Sequence, residues 1–149
     1  MPPAFHHALF LPMSAIARRF SLQLKSIPEN IVLLEPFVEK AKPYCHVSNE
    51  QYHNILLVLT EAVNNSIVHG NRADPDKKVR IQMNINTQSL RFVVQDEGHG
   101  FDLSQIPDPT SPNQLTQPNG RGVFLMRCLA DTVSFAENGR KVFIYFNRI

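Results

Sequence analysis

The sequence has few of the residues that mark specialised protein classes. Its 149 residues include two cysteines and no tryptophan, and Cys45 and Cys128 form neither a CxxC pair nor a zinc-binding spacing. We therefore expect two free thiols, as in a protein of the reducing cytoplasm. The chain also lacks an apolar run of about 18 residues, so the sequence predicts no membrane-spanning helix.

A strong net charge is missing as well. The 15 Lys and Arg residues and 13 Asp and Glu residues give a formal net charge of +2. A nucleic-acid-binding domain usually has a clustered basic surface, so this balance gives no support to direct nucleic-acid binding. The hydrophobic fraction of 43% excludes wholesale disorder. The length of 149 residues is typical of one domain with a sizeable core.

Two stretches of the chain lack the periodicity of helices and strands. Residues 1–19 hold a short apolar run that Pro12 interrupts and that basic residues follow, which is the reverse of a signal peptide. We expect a loose N-terminal extension there, followed by one domain over residues 20–149. Residues 102–119 are rich in proline, which is incompatible with a helix or a central strand. Loops this long are usually functional, and we expect a lid.

The rest of the sequence predicts a mixture of strands and helices. Alternating or β-rich segments predict strands over 20–25, 79–86, 90–96, 132–136 and 141–147. Helical patterns predict helices over 28–42, 51–69 and 122–130. Gly70 is expected to close the second helix as a C-cap. Antiparallel strands with helices burying one apolar face indicate an α+β fold, a two-layer sandwich.

One predicted helix carries polar side chains among apolar ones. Glu61 and Asn65 lie one turn apart, and their neighbours on the helical wheel are all apolar, namely Leu57, Val58 and Val68. A carboxylate in such surroundings must be exposed, paired or used. A helix edge facing solvent would account for the pair. So would a site in which Glu61 deprotonates a hydroxyl or water and the Asn65 oxygen binds Mg²⁺.

A glycine-containing segment precedes the predicted lid. Asp96 ends a predicted strand and is followed by Gly98 and Gly100. Glycines permit positive φ and the close approach of a ligand. The Asp96 carboxylate can accept a hydrogen bond from an exocyclic amine. An ordinary turn with a solvated aspartate would also fit this segment.

A second glycine-containing segment follows the lid. Gly120, Arg121 and Gly122 directly open a predicted helix, where free backbone N–H groups and the arginine favour a phosphate. A plain junction between loop and helix is the alternative. Taken together with Glu61 and Asn65, the two segments predict one nucleotide pocket. The chain has neither the GxxxxGK[ST] motif of a P-loop nor the HRD and DFG motifs of eukaryotic-type protein kinases.

These segments follow the order of the motifs of a known superfamily. The sequence resembles the GHKL ATPases, which include gyrase, histidine kinases and MutL, in its N, G1 and G2 boxes: residues 61–70, 96–100 and 120–122. Within the superfamily it is most similar to the bacterial anti-sigma-factor serine/threonine kinases. The similar segments are Glu61-Ala, Asn65, His69-Gly70-Asn71, Gly100-Phe101-Asp102 and residues 120–126. The resemblance runs from about residue 20 to the C-terminus.

The resemblance implies a Bergerat fold, in which three helices cover a mixed, mostly antiparallel sheet and ATP lies between the helices and a lid. It implies that Glu61 is the general base, that Asn65 is a Mg²⁺ ligand and that Asp96 binds the adenine amino group. The other implied nucleotide contacts are Gly98 and Gly100 at the adenine wall and Gly120, Arg121 and Gly122 at the phosphates.

The resemblance also implies a regulatory function. Such proteins phosphorylate a serine or threonine of a small anti-anti-sigma (STAS) protein, hold a sigma factor inactive and commonly form homodimers. An alternative is a nucleotide-gated protein-binding switch without significant kinase activity, although Glu61 argues against it because a pure binder needs no base. A third hypothesis, a structural or adaptor domain, predicts that no adenine nucleotide binds.

Overall fold

A computed structural model describes residues 18–100, 118–147 and 149. Residues 1–17 and 101–117 lie outside the described residues, and they include most of the predicted N-terminal extension and residues 102–117 of the predicted lid. For residues 118–120 only the backbone is described. None of the helices in the described ranges is long and apolar enough to cross a membrane.

One antiparallel sheet forms the base of the fold. Its strands are β1 (Arg18–Lys25), β2 (Lys78–Ile85), β3 (Ser89–Gln95), β4 (Thr132–Ala136) and β5 (Lys141–Asn147). They lie in the order β1-β2-β3-β5-β4, and each neighbouring pair is antiparallel. The expected α+β fold with a mostly antiparallel sheet is therefore confirmed.

The first strand begins earlier than predicted. β1 starts at Arg18, so Arg18 and Arg19 belong to the folded domain and not to the expected extension. Arg19 pairs with Asn84 of β2, and its Nε donates a hydrogen bond to Asn84 Oδ1 at 3.0 Å. The two arginines carry no apolar alternation, which is why the sequence pattern does not include them in the strand.

The core lies between one face of the sheet and the helices. Met83, Phe92 and Ile144 occupy one register across β2, β3 and β5, and all three are fully buried. Because side chains alternate along a strand, the same face collects most of the other buried apolar residues of these strands. The apolar face of the long helix that covers them is buried too, at Ile55, Val58, Leu59, Ala62 and Val63.

The first predicted helix is only partly α-helical. Residues Pro28–Leu33 form a 3₁₀ helix, and α1 (Leu34–Glu39) follows it and ends three residues before the predicted end. Pro36 lies in the first turn of α1. A missing N–H costs no hydrogen bond there, because the amides of the first turn have no intrahelical acceptor.

The long helix α2 (Asn49–Asn65) begins two residues before its predicted start. Ser48 and Gln51 form a capping box: Gln51 N–H donates to Ser48 Oγ at 3.1 Å, and Ser48 N–H donates to Gln51 Oε1 at 3.0 Å. This reciprocal pair satisfies amides that would otherwise lack acceptors.

The end of α2 differs from the prediction. A π turn spans Ser66–Gly70, closed by a hydrogen bond from Asn71 N–H to Ser66 O at 2.8 Å. Gly70 does not have a positive φ, and Asn71 takes the capping position. The expectation that Gly70 is a C-cap is therefore wrong. The glycine is required there because a β carbon would overlap the Asp96 side chain.

The last helix also starts earlier than predicted. α3 (Pro118–Leu129) includes Gly120 to Gly122 in its first turns, so these residues do not precede the helix. The expectation that residues 118 and 119 belong to a non-helical lid is wrong as well. Proline is favoured at the first helical position, because its φ is already helical and no bonded N–H is lost.

Candidate functional site

Three residues predicted from the sequence come together where α2 faces α3. A β carbon built on Gly122 would lie 2.7 Å from Glu61 Oε2 and 3.4 Å from Asn65 Nδ2. Since β carbons essentially never come within 3.0 Å of another atom, glycine allows α3 to approach Glu61 this closely. Gly122 is buried, and Glu61 and Asn65 are half-buried.

The surroundings of Glu61 are less enclosed than the helical wheel predicts. Of its three apolar neighbours, Val58 is fully buried, whereas Leu57 and Val68 are 42% and 38% exposed. Glu61 therefore lies at the boundary between core and solvent. A carboxylate there keeps part of its hydration.

The other predicted phosphate contacts lie beside this group on α3. Gly120 is in the first turn of the helix, and Arg121, which is exposed, precedes Gly122. The first four amides of an α-helix have no intrahelical acceptor. The amide of Gly120 is among them, so the start of α3 offers a hydrogen-bond donor and the positive end of a helix dipole near Glu61.

Asp96 is buried in a tight turn that follows β3, with 6% of its surface exposed. Its Oδ1 accepts a hydrogen bond from Gly98 N–H at 2.9 Å, and its own N–H donates to Arg140 O at 2.9 Å. Among the described residues, no hydrogen bond is donated to Oδ2. The carboxylate is thus oriented through one oxygen, and the other keeps its capacity to accept.

Burial raises the pKa of the Asp96 carboxyl above its ordinary value. The hydrogen bond from Gly98 and the positive charges of Arg140 and Lys77 act in the opposite direction and lower the pKa. Desolvation is the largest of these effects, because water stabilises a charged carboxylate better than this turn does.

The glycines around Asp96 are required for close backbone packing. A β carbon on Gly70 would lie 2.5 Å from Asp96 Cγ, and one on Gly98 would overlap the Gly70 carbonyl. Gly100 has a φ of +80° and packs against the backbone of Asn138 in the turn between β4 and β5. The predicted positive φ is confirmed at Gly100, and the π turn, the Asp96 turn and the β4–β5 turn meet here.

Asn71 is a buried residue at this site to which the sequence patterns assign no role. Its Nδ2 donates to Ser26 Oγ at 2.7 Å and to Lys78 O at 2.9 Å, and its Oδ1 accepts from Glu97 N–H at 2.8 Å. The sequence feature that could have indicated it is an asparagine directly after Gly70, at the end of a long helical segment. Buried polar side chains are usually hydrogen-bonded, and this one satisfies both ends of its amide.

The described residues do not form a complete metal cage. Within them, no group of three or more His, Cys, Asp and Glu side chains is placed to hold a metal ion. Glu61 and Asn65 are nevertheless hard oxygen donors lying side by side. Mg²⁺ commonly takes one or two protein oxygens and completes its shell with water and phosphates, so the Asn65 oxygen fits such an ion and leaves Glu61 free to act as a base.

Comparisons with known proteins agree with the arrangement of these elements. A family model described as "Histidine kinase-like ATPase domain" matches residues 25–146. The chain is 24% identical over 127 residues to "Serine-protein kinase RsbW" of Listeria innocua, covering 81% of each protein. It is 28% identical over 130 residues to "Anti-sigma F factor" of Oceanobacillus iheyensis, covering 83% of this chain and 88% of the relative.

The raised pKa of Asp96 predicts how stability depends on pH. As pH falls through the folded-state pKa toward the unfolded value of about 3.9, the folded state takes up the proton first and gains stability relative to the unfolded chain. Asp96→Asn has no such gain. We therefore expect the stability of Asp96→Asn relative to the wild type to be greatest at neutral pH and to decline as pH falls.

Urea unfolding of both proteins between neutral pH and about pH 4 measures this difference. Asp76→Asn, at an exposed position, is the matched control. A difference between Asp96→Asn and the wild type that grows as pH falls would contradict the burial of a charged Asp96.

Proposed function

Because the chain belongs to the histidine kinase-like ATPase domain family, we propose that it is an ATP-dependent serine/threonine protein kinase that also acts as an anti-sigma factor. The names of its relatives, a serine-protein kinase and an anti-sigma F factor, support this function. The structural observation that carries it is the close approach of Gly122 to Glu61 and Asn65. That contact supports the proposal because a carboxylate, an amide oxygen and the start of a helix lie next to one another.

Asp96 is proposed to bind the adenine of ATP. Its Oδ1 is held by Gly98 N–H, which leaves Oδ2 to accept a hydrogen bond from the adenine amino group. Gly98 and Gly100 would form the wall along the base. A hydrogen bond between an ionised group and an amine is stronger than a neutral one, so Asp96 gives the site a preference for adenine.

The phosphates are proposed to lie between α2 and the start of α3. The amide of Gly120, the charge of Arg121 and the lack of a side chain at Gly122 favour a bound triphosphate. Asn65 would be the protein ligand of Mg²⁺. The ion, when bound, would neutralise charge that develops on the phosphates.

Glu61 is proposed to be the general base. It would take the proton from a serine or threonine hydroxyl of the partner protein as that oxygen bonds to the γ-phosphorus. The bond between this phosphorus and the oxygen that bridges it to the β-phosphate breaks, and ADP leaves. Alignment of the two oxygens and stabilisation of phosphate charge contribute most in such reactions, so Glu61 acts within a site that is already ordered.

The partners follow from this function. We propose that the acceptor is a STAS-type anti-anti-sigma protein, that the chain sequesters a sigma factor or a similar regulator, and that it acts as a homodimer in the cytoplasm. Cys45 and Cys128 are both free thiols, which fits a reducing compartment. A nucleotide-gated switch without kinase activity would use the same site and differ only in lacking phosphotransfer.

ATP is expected to stabilise the protein through Asp96. A ligand at 100 times its dissociation constant adds about 2.7 kcal/mol of stability. At about 2–4 °C per kcal/mol, this corresponds to a rise of roughly 5–10 °C in melting temperature. We expect this rise for the wild type with Mg²⁺ and ATP, and little rise for Asp96→Asn.

Thermal unfolding with and without nucleotide measures the shift, with the exposed variant Asp76→Asn as control. No shift in the wild type and in the control at millimolar ATP would reject nucleotide binding. An equal shift in Asp96→Asn would reject the assignment of adenine to this turn.

Loss of the Glu61 carboxylate is expected to slow phosphotransfer strongly without abolishing ATP binding. A general base typically contributes 10²–10⁴-fold to the rate. We therefore expect Glu61→Gln to transfer labelled phosphate from ATP to the STAS partner at least about 100-fold more slowly than the wild type.

Glu50→Gln, at an exposed glutamate in the first turn of α2, is the control and is expected to retain activity. Undiminished transfer by Glu61→Gln would show that Glu61 is not the base. Absence of transfer in an ATP-binding wild type, with partner regulation intact, would favour the nucleotide-gated switch.

Gly122→Ala is expected to reduce the rate of phosphotransfer while the stability of the protein is retained. The added β carbon would meet the end of the flexible Glu61 side chain, which can move aside. Alanine is a better helix former than glycine by about 1 kcal/mol, so stability should be retained. A displacement of about 1 Å can cost about 100-fold in rate, so transfer should fall strongly.

Melting temperature and the transfer rate are measured together, with Cys128→Ala on the exposed side of α3 as control. An active, stable Gly122→Ala variant would contradict the requirement for Glu61 at its present position.

A further inference from the structure

We propose that Asn71 is a positioning residue that holds the adenine-binding turn in place and ties it to the end of helix α2. The proposal rests on the function assigned above, because it concerns how Asp96 is held for ATP. It assigns Asn71 no contact with nucleotide. Its role is to fix the turn that presents the Asp96 carboxylate.

The first argument is the set of bonds that the Asn71 amide makes. The residue is completely buried, and its three side-chain hydrogen bonds reach three segments far apart in sequence. Two bonds, to Ser26 Oγ and Lys78 O, anchor the side chain to the end of β1 and the start of β2. The third accepts Glu97 N–H, the amide directly after Asp96.

The second argument is the backbone of Asn71. Its N–H donates to Ser66 O and closes the π turn. Ser66 directly follows Asn65, the proposed Mg²⁺ ligand. One residue therefore bonds to the end of the helix that carries the transfer residues and to the turn that carries the adenine-binding carboxylate. π turns are frequent at functional sites, and here the turn brings Gly70 against Asp96.

The third argument is that the residues around Asp96 are packed too tightly for the turn to shift without moving the carboxylate. Gly70 and Gly98 approach each other so closely that a single methyl group on either would overlap its neighbours. A displacement of the Glu97 amide would move Gly98, whose N–H orients Asp96 Oδ1. Asp96 is also held by its N–H bond to Arg140 O, but that bond is on the strand side of the turn. On the side of the glycines, the turn is restrained by the Asn71 bond to the Glu97 backbone and by the bond that Lys78 N–H donates to Glu97 Oε1. Only the first acts on the amide directly before Gly98.

Base selectivity distinguishes positioning from general destabilisation. The 6-amino group of adenine donates a hydrogen bond to a carboxylate, whereas the 6-oxo group of hypoxanthine, in inosine triphosphate, is an acceptor and is repelled. A misplaced Asp96 would lower the affinity for ATP and leave that for inosine triphosphate almost unchanged. A variant that is merely less stable would lose affinity for both nucleotides by the same factor.

The experiment measures the dissociation constants of ATP and inosine triphosphate, with Mg²⁺, for the wild type, Asn71→Ala, Asn71→Asp and Asn84→Ala, well below each melting temperature. Asn84 is a second buried asparagine whose side chain makes a hydrogen bond. It lies on β2 opposite Arg91 of β3, whereas Arg80 lies opposite Gln95, the residue before Asp96. We expect Asn71→Ala to reduce the preference for ATP at least about tenfold, the range of one hydrogen bond to a charged group. Asn84→Ala should keep the wild-type preference.

Asn71→Asp tests whether a side-chain oxygen that accepts a hydrogen bond from Glu97 N–H is enough to position the turn. It retains an oxygen for Glu97 N–H but loses both bonds that Nδ2 donates, so its melting temperature should fall while most of the preference for ATP returns. If Asn71→Ala does not fold, Asn71→Ser replaces it, since its side chain is one atom too short to reach Glu97 N–H. A preference for ATP over inosine triphosphate that is unchanged in Asn71→Ala or Asn71→Ser overturns the proposal. A wild type that binds neither nucleotide overturns the proposed function itself. One that binds both equally overturns the assignment of adenine to Asp96, and this proposal with it.

Discussion

The buried amide of Asn71 is the interaction on which the geometry of the site depends. It joins the end of β1, the start of β2, the turn after β3 and the π turn after α2. An unsatisfied buried donor or acceptor costs about 1–3 kcal/mol, so each of the four segments is held at hydrogen-bonding distance from the others. The sheet and the helix layer are thereby fixed relative to each other at one end.

The second constraint is that three positions of the site must be glycine, because a side chain there would overlap its neighbours. Gly70 and Gly98 let two turns close around Asp96, and Gly122 lets α3 approach Glu61. The site is thus built from polar groups on α2 and after β3 and from glycines facing them. The same packing accounts for the raised pKa of Asp96, because the turns that enclose the carboxylate also remove its water.

The strands were predictable to within two residues, because alternation along a half-buried strand is a local pattern with a short period. The helix ends were not. α2 begins at a capping box and passes into a π turn, and α3 begins at Pro118, four residues before its predicted start. These helix ends are decided by single side chains and by packing. The periodicity of apolar residues along the sequence contains no information on either.

The sequence by itself determined the α+β class, the family and the residue types at the site, because alternation, helical periodicity and short motifs are local properties of the chain. Only the tertiary structure decided that Gly70 serves close packing instead of helix capping, and that Asn71 is a buried link between distant segments. The partners of Asn71 are 45 residues away at Ser26 and 26 at Glu97. No local pattern records a hydrogen bond across such a separation; folding brings the two groups together.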